Sequence, residues 1–132
     1  MDYRQSNLRQ EYLRQSVMTA SPAELVVMLF DACIKNLKLA EICVSERRDM
    51  SGAHTHFSKA QQIVMELICC LDTSYEISAR LLEIYEFLLH SIRDMNVKKD
   101  VTALPDVLEI LTSQRDTWQK ISRPAMAPSE VS

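Results

Sequence analysis

The sequence predicts an all-α fold, an antiparallel four-helix bundle with a mobile or short-helical N-terminal arm. Three observations carry this. The 132 residues include one glycine and four prolines, so the closely spaced turns of an all-β chain have nothing to build them. Leu, Met, Ala, Glu, Gln and Arg are abundant, and their side chains lose little freedom on a helix. Apolar residues recur at helical spacing in four segments with short polar connections, and helices joined so briefly pack as antiparallel neighbours.

Residues 1–20 place Tyr3, Leu8, Tyr12, Leu13 and Val17 among many polar residues, a stripe too thin to hold a helix alone, and read as a flexible arm. The bundle domain is expected over residues 21–121. Helix one starts behind Ser21, whose hydroxyl can accept a first-turn amide. Pro22 has no amide to leave unpaired, and Glu24 lies three residues on, where it can reach back. This helix is expected to reach about Arg48, with Asp49 to Gly52 as the turn. Helix two follows from about Ala53 to Leu71, ended by Asp72 to Ser74. Thr73 and Glu76 have capping-box spacing, so helix three is expected from Ser74 to about Asn96. Val97 to Asp100 forms the third connection. Helix four should run from about Ala103 to Ile121, with Pro105 in its first turn and Thr102 as the better cap than Asp100. Residues 122–132 hold two prolines and no periodicity, the pattern of a disordered C-terminal tail.

A net charge of −3 with interspersed signs offers no basic stripe for a phosphate backbone, so nucleic acid is not expected as a partner. No apolar run approaches the roughly 20 residues that span a bilayer, and the polar start lacks a signal peptide's apolar centre. A cytoplasmic protein without membrane insertion is therefore expected. Cys33, Cys43, Cys69 and Cys70 fall in or beside apolar helical positions and read as small hydrophobes.

Chemistry has few footholds. Glu-x-x-His pairs of a bundle metal centre are missing, since Glu86 and His90 are four apart. His54 and His56 flank an expected turn and read as solvated. Cys69 and Cys70, adjacent on a helix, point about 100° apart. Gly52 alone cannot form a phosphate-cradling loop, and no nucleophile, base and oxyanion set is visible. The reading is a protein that is not an enzyme and uses no cofactor or metal.

The helices are more apolar than a small bundle requires. On helix one, Leu25, Met28, Leu29, Ala32, Cys33, Leu39, Ala40 and Cys43 form a stripe that Val26, Phe30, Leu37 and Val44 widen to roughly 200°. Helix three repeats the excess with Ile77, Leu81, Ile84, Leu88, Ile92 and Met95, flanked by Leu82, Tyr85 and Leu89. An irregular bundle, a fifth helical segment or a homodimer would bury these residues. So would an amphipathic partner helix laid into an apolar groove, with the seven methionines repacking around it.

The stretch from Tyr12 through Ile34 resembles the FliS family of flagellin-binding export chaperones. Its pattern is met by Tyr12, Val17, Thr19, Ala20, Ser21, Pro22, Leu25, Met28, Leu29 and Asp31. Further matches are Lys59 to Leu67, Leu71 with Asp72, Leu81, Tyr85, Asn96, Asp100, Val107, Arg115 and Trp118, in the family's order. Phe30 stands where Tyr is usual, Ala32 where Gly is usual and Gln15 where Asn is common, and Met95 and Pro105 are also unusual. The resemblance implies a cytosolic four-helix bundle that holds flagellin's disordered C-terminal segment, prevents premature polymerisation and aids delivery to the type III export apparatus. Export-gate components and flagellar regulators become further candidate partners, and the protein is expected as a monomer or weak homodimer. It also implies that the free form's arm shields part of the groove. Carried over by position, the client-binding candidates are Tyr12, Val17, Thr19, Ala20, Leu25, Met28, Leu29, Ile63, Leu67, Tyr85, Leu89 and Asn96. Tyr85 is taken as an exposed groove position and Asn96 as nearer the rim. Ser21 and Pro22 are expected as caps and Trp118 as a core anchor. The alternative is a helical adaptor whose apolar faces serve homodimerisation.

Overall fold

The computed structural model describes residues 21–122, and the expected arm and tail lie outside them. Four helices fill this region: α1 (Pro22–Ile42), α2 (Met50–Cys69), α3 (Ile77–Lys98) and α4 (Leu104–Ile121). Their alternating direction is visible at one end of the molecule. There Val26 near the start of α1, Leu67 near the end of α2, Leu81 on α3 and Trp118 near the end of α4 line one cavity. α1 is the central element, packing closely on both α2 and α4, and α2 packs on α3, whereas α3 and α4 approach each other little.

Ser21 caps α1 as expected. Its hydroxyl accepts from Glu24 N at 3.2 Å, the Glu24 carboxylate accepts from Ser21 N at 3.4 Å, and Pro22 occupies the first turn. The far end of α1 departs from the expectation. The α-helix stops at Ile42 and widens into a π-helical turn, Cys43–Arg47, before Arg48 adopts a left-handed conformation (φ 52°). The Cys43 carbonyl there accepts from the N–H of both Arg48 and Asp49. Asp49 is then the cap of α2, its carboxylate accepting from Gly52 N at 2.9 Å. Gly52, expected in the turn, lies inside the helix. A Cβ on it would sit 2.4 Å from the Asp49 carboxylate and 3.1 Å from Cys43 Sγ, so its bareness lets the cap close.

The Thr73–Glu76 capping box does not form. Asp72 captures the chain instead, accepting from Ser74 N at 2.9 Å and from Ser74 Oγ at 2.6 Å. This Asx turn competes with helix for the same backbone, so α3 starts at Ile77 rather than Ser74. α3 continues to Lys98, and Lys99 ends it in a left-handed conformation (φ 53°). The last correction concerns the caps of α4. Asp100 accepts from the backbone and hydroxyl of Thr102, so Thr102 is held rather than capping, while Pro105 does lie in the first turn of α4.

The core runs the length of the bundle through Phe30, Leu37, Phe57, Val64, Tyr85, Leu88, Ile92, Leu104 and Leu111, all essentially inaccessible to solvent. Each such side chain contributes about 1.5–3 kcal/mol by leaving water. Phe30 and Tyr85 join α1 to α3 across it, with ring centroids 6.1 Å apart and planes tilted by 58°, an aromatic contact worth about 0.5–1.5 kcal/mol beyond area. Polar ties are peripheral. Arg115 Nη1 donates to Asp31 Oδ1 at 2.9 Å, linking α4 to α1 in solvent, where such a pair adds about 1 kcal/mol at most. Among the described residues no helix is long and apolar enough to cross a membrane.

Candidate functional site

The candidate residues fall into separate places on the bundle. Tyr12, Val17, Thr19 and Ala20 lie outside the described residues. Leu29 on α1 and Ile63 on α2 meet in a shallow groove of about 340 Å³, with Asn36, Lys59, Gln62 and Glu66 along its sides. Leu25 and Met28 are half-buried on α1, and Leu89 is half-buried on α3 against the core. Periodicity marks all five as apolar. Only coordinates show that they stop short of full burial.

Leu67, Tyr85 and Asn96 are buried, at 2%, 1% and 7% exposure. The expectation of Tyr85 as an exposed groove position is therefore corrected: its ring lies on the inner side of α3 against Phe30. Tyr85 and Trp118 line the same cavity, and burial raises the Tyr85 hydroxyl's pKa while the neighbouring Trp118 side chain opposes the shift. Asn96 is not a rim residue either. Its side-chain oxygen accepts from Lys99 Nζ at 2.8 Å and lies 3.3 Å from His54 Nδ1, closing the end of α3 on α2. Since the lysine can only donate there, Asn96 Oδ1 is the acceptor and His54 Nδ1 carries a hydrogen.

A broader apolar feature lies where α2 passes into α3. A cavity of about 220 Å³ is lined by Val26, Leu67, Leu71, Leu81, Tyr85 and Trp118, with Cys70, Asp72, Tyr75, Ile77 and Ser78 at its sides. Adjoining it is a trough of about 510 Å³ between Ile68 and Leu71 on one side and Ala79 and Leu82 on the other. Tyr75, Ile77 and Phe87 are 65%, 61% and 54% exposed on this part of the chain and α3, and Met65 on α2 is 51% exposed. Sequence reasoning passed over Tyr75 and Ile68, took Leu71 only as a family match at the end of helix two, and gave Ile77 to the core stripe. The signal that could have found them is the Asp72–Ser74 pair, which delays α3 and leaves Tyr75 on a turn. Trp118, expected as a core anchor, is half-buried and forms one wall. Of the cysteines, Cys33 and Cys43 are buried as expected, whereas Cys69 and Cys70 are exposed at the end of α2.

Residues 4–125 match the family model described as Flagellar protein FliS. The chain belongs to the FliS family. It is 34% identical over 109 residues to the flagellar secretion chaperone FliS of Bacillus subtilis (strain 168), covering 83% of this chain and 81% of that one. To the protein of the same name from Salmonella typhimurium it is 30% identical over 113 residues, covering 83% of each chain. A solved structure titled as a flagellar chaperone from bacteria superposes with a TM-score of 0.71 over 89% of this chain and 96% of that chain. Its 18% identity makes it evidence for the all-α fold alone.

Proposed function

We propose that this chain is a cytosolic export chaperone that binds the disordered C-terminal segment of flagellin, keeps it from premature polymerisation and delivers it to the flagellar type III export apparatus. Family membership supports the chaperone role. The observation that carries the binding mode is the apolar surface the bundle leaves unused: Tyr75 and Ile77 stand more than half in water at the edge of adjoining apolar hollows, and Met65 on α2 and Phe87 on α3 are exposed as well. Exposed apolar side chains bordering an apolar hollow support reading this region as a contact site. A segment that folds as amphipathic helices on such a surface gains burial at its anchors and pays several kcal/mol for ordering, so a long wrapped interface fits better than one small pocket. No chemistry or cofactor enters this mechanism; burial itself is the activity.

The test is titration of the purified protein with a flagellin C-terminal peptide, for the parent and for Ile77→Asp and Phe87→Asp. Both side chains are already exposed, so helical circular dichroism should persist while affinity falls by about tenfold or more, the loss of one good apolar anchor. Full affinity in both variants would remove α3 from the client surface. Sizing the complex distinguishes a one-to-one assembly from the homodimeric adaptor, which would change neither mass nor heat on adding peptide.

A further inference from the structure

Resting on the chaperone reading, the geometry points to a specific docking element: the cavity walled by Trp118 receives one large apolar side chain of the client, and Asp72 and Glu76 pair with a lysine or arginine about one helical turn away from it. The cavity and the trough share Leu71, Tyr75 and Ser78, so they form one continuous depression over the α2–α3 connection. Its two parts differ in use. The smaller has a closed apolar floor, because Leu67 and Tyr85 are buried, and its volume of about 220 Å³ suits a single Leu, Met or Phe side chain. The trough is more than twice as large, with room for client backbone beside the anchor.

Charge selects the neighbour of that anchor. Among the described residues, those lining both hollows include two acidic side chains, Asp72 and Glu76, and no lysine, arginine or histidine. Asp72 is fixed by the Ser74 backbone and hydroxyl on one oxygen, which holds the carboxylate in place and ionised. An acidic partner segment would meet like charge here and a basic one the opposite, the arrangement that sets orientation and discriminates between partners. Residues 3 and 4 apart lie on one helix face, so an anchor and a basic residue at that spacing reach the pocket and its rim together.

Trp118 is the chain's one tryptophan, which gives the pocket its own reporter. The experiment titrates the full chain with a tryptophan-free flagellin C-terminal peptide, reading Trp118 emission and calorimetric affinity at low and high salt, alongside Asp72→Asn/Glu76→Gln. Asn keeps an acceptor for Ser74, so the turn survives. The proposal expects a blue shift of Trp118 emission on binding, and an affinity about two- to tenfold weaker in the double variant at low salt, with the difference shrinking at high salt. Leu81→Ala, which enlarges the pocket and loosens its grip on the anchor, should reduce both the blue shift and the affinity. Full-strength binding with unchanged Trp118 emission and no effect of the double variant would overturn the proposal and leave the chaperone reading standing. No binding by the parent chain would overturn both.

Discussion

Arg48 and Lys99 each hold the left-handed backbone conformation that a helix end favours for glycine. A side chain there crowds its own carbonyl, at a cost of about 1–2 kcal/mol. Arg48→Gly should therefore raise stability by about 1 kcal/mol, read as a higher urea midpoint; an unchanged or lower midpoint would show that the arginine makes a compensating contact. Lys99 differs, because its ammonium also donates to the Asn96 carbonyl and side chain. Burial likewise decides the thiols: it pushes the Cys33 thiol up to about 12, and Cys43 is buried as well, at 6% exposure. Two thiols, Cys69 and Cys70, should react promptly with a water-soluble disulfide reagent in the native protein. Cys33 and Cys43 should react only on unfolding, and rapid reaction of all four would contradict this packing. At this scale the sequence was only partly legible. Ser21 and Glu24 carry their cap in their identities and spacing, whereas Tyr85 could be placed inside only by the facing Phe30, which lies 55 positions earlier and belongs to another helix.

The connections between helices are set by two aspartates acting alike. Asp72 and Asp100 each accept a backbone N–H and a hydroxyl from the residue two positions on, and these bonds lower both pKa values from the ordinary 3.8. A carboxylate lowered on folding stabilises the native state above its unfolded pKa, and that contribution is lost as pH falls through the lower folded value. The double variant Asp72→Ala/Asp100→Ala should thus be less stable than its parent at pH 7, with the gap narrowing toward pH 2 in urea melts. A constant gap would mean the turns are held by packing instead. These same turns explain which boundaries the sequence concealed. Apolar periodicity located all four helices and the polar stretches between them, but not the residues at which each helix begins and ends, which the competing Asx turn at Asp72 and the left-handed Arg48 set. The π-helical turn at Cys43–Arg47 had no signal in residue type.

On the scale of the molecule, the stripes of α1 and α3 are wider than their packing consumes. Part of α1's excess goes into the central position of that helix between α2 and α4. The remainder on α3 is left outside because α3 and α4 approach so little, and the depression over the α2–α3 connection adjoins it. Truncating the shared core instead of this surface has a different signature: Phe30→Ala should cost about 3–5 kcal/mol and weaken peptide binding only through unfolding. A periodic pattern reports that a face is apolar; whether a neighbouring helix or a partner covers it depends on helix spacing, which no single segment encodes. That is why the fold and family could be read from the chain, while the division of Leu25, Met28, Leu29, Ile63, Leu67 and Leu89 between core and surface required coordinates. The central claim is that a client segment fills the apolar surface left over by the bundle, and the heat-capacity change of peptide binding, measured by calorimetry across a range of temperatures, tests it most directly. A strongly negative value, matching burial of about 1,000–3,000 Å² on coupled folding and binding, is the predicted result; binding with a heat-capacity change near zero would contradict it.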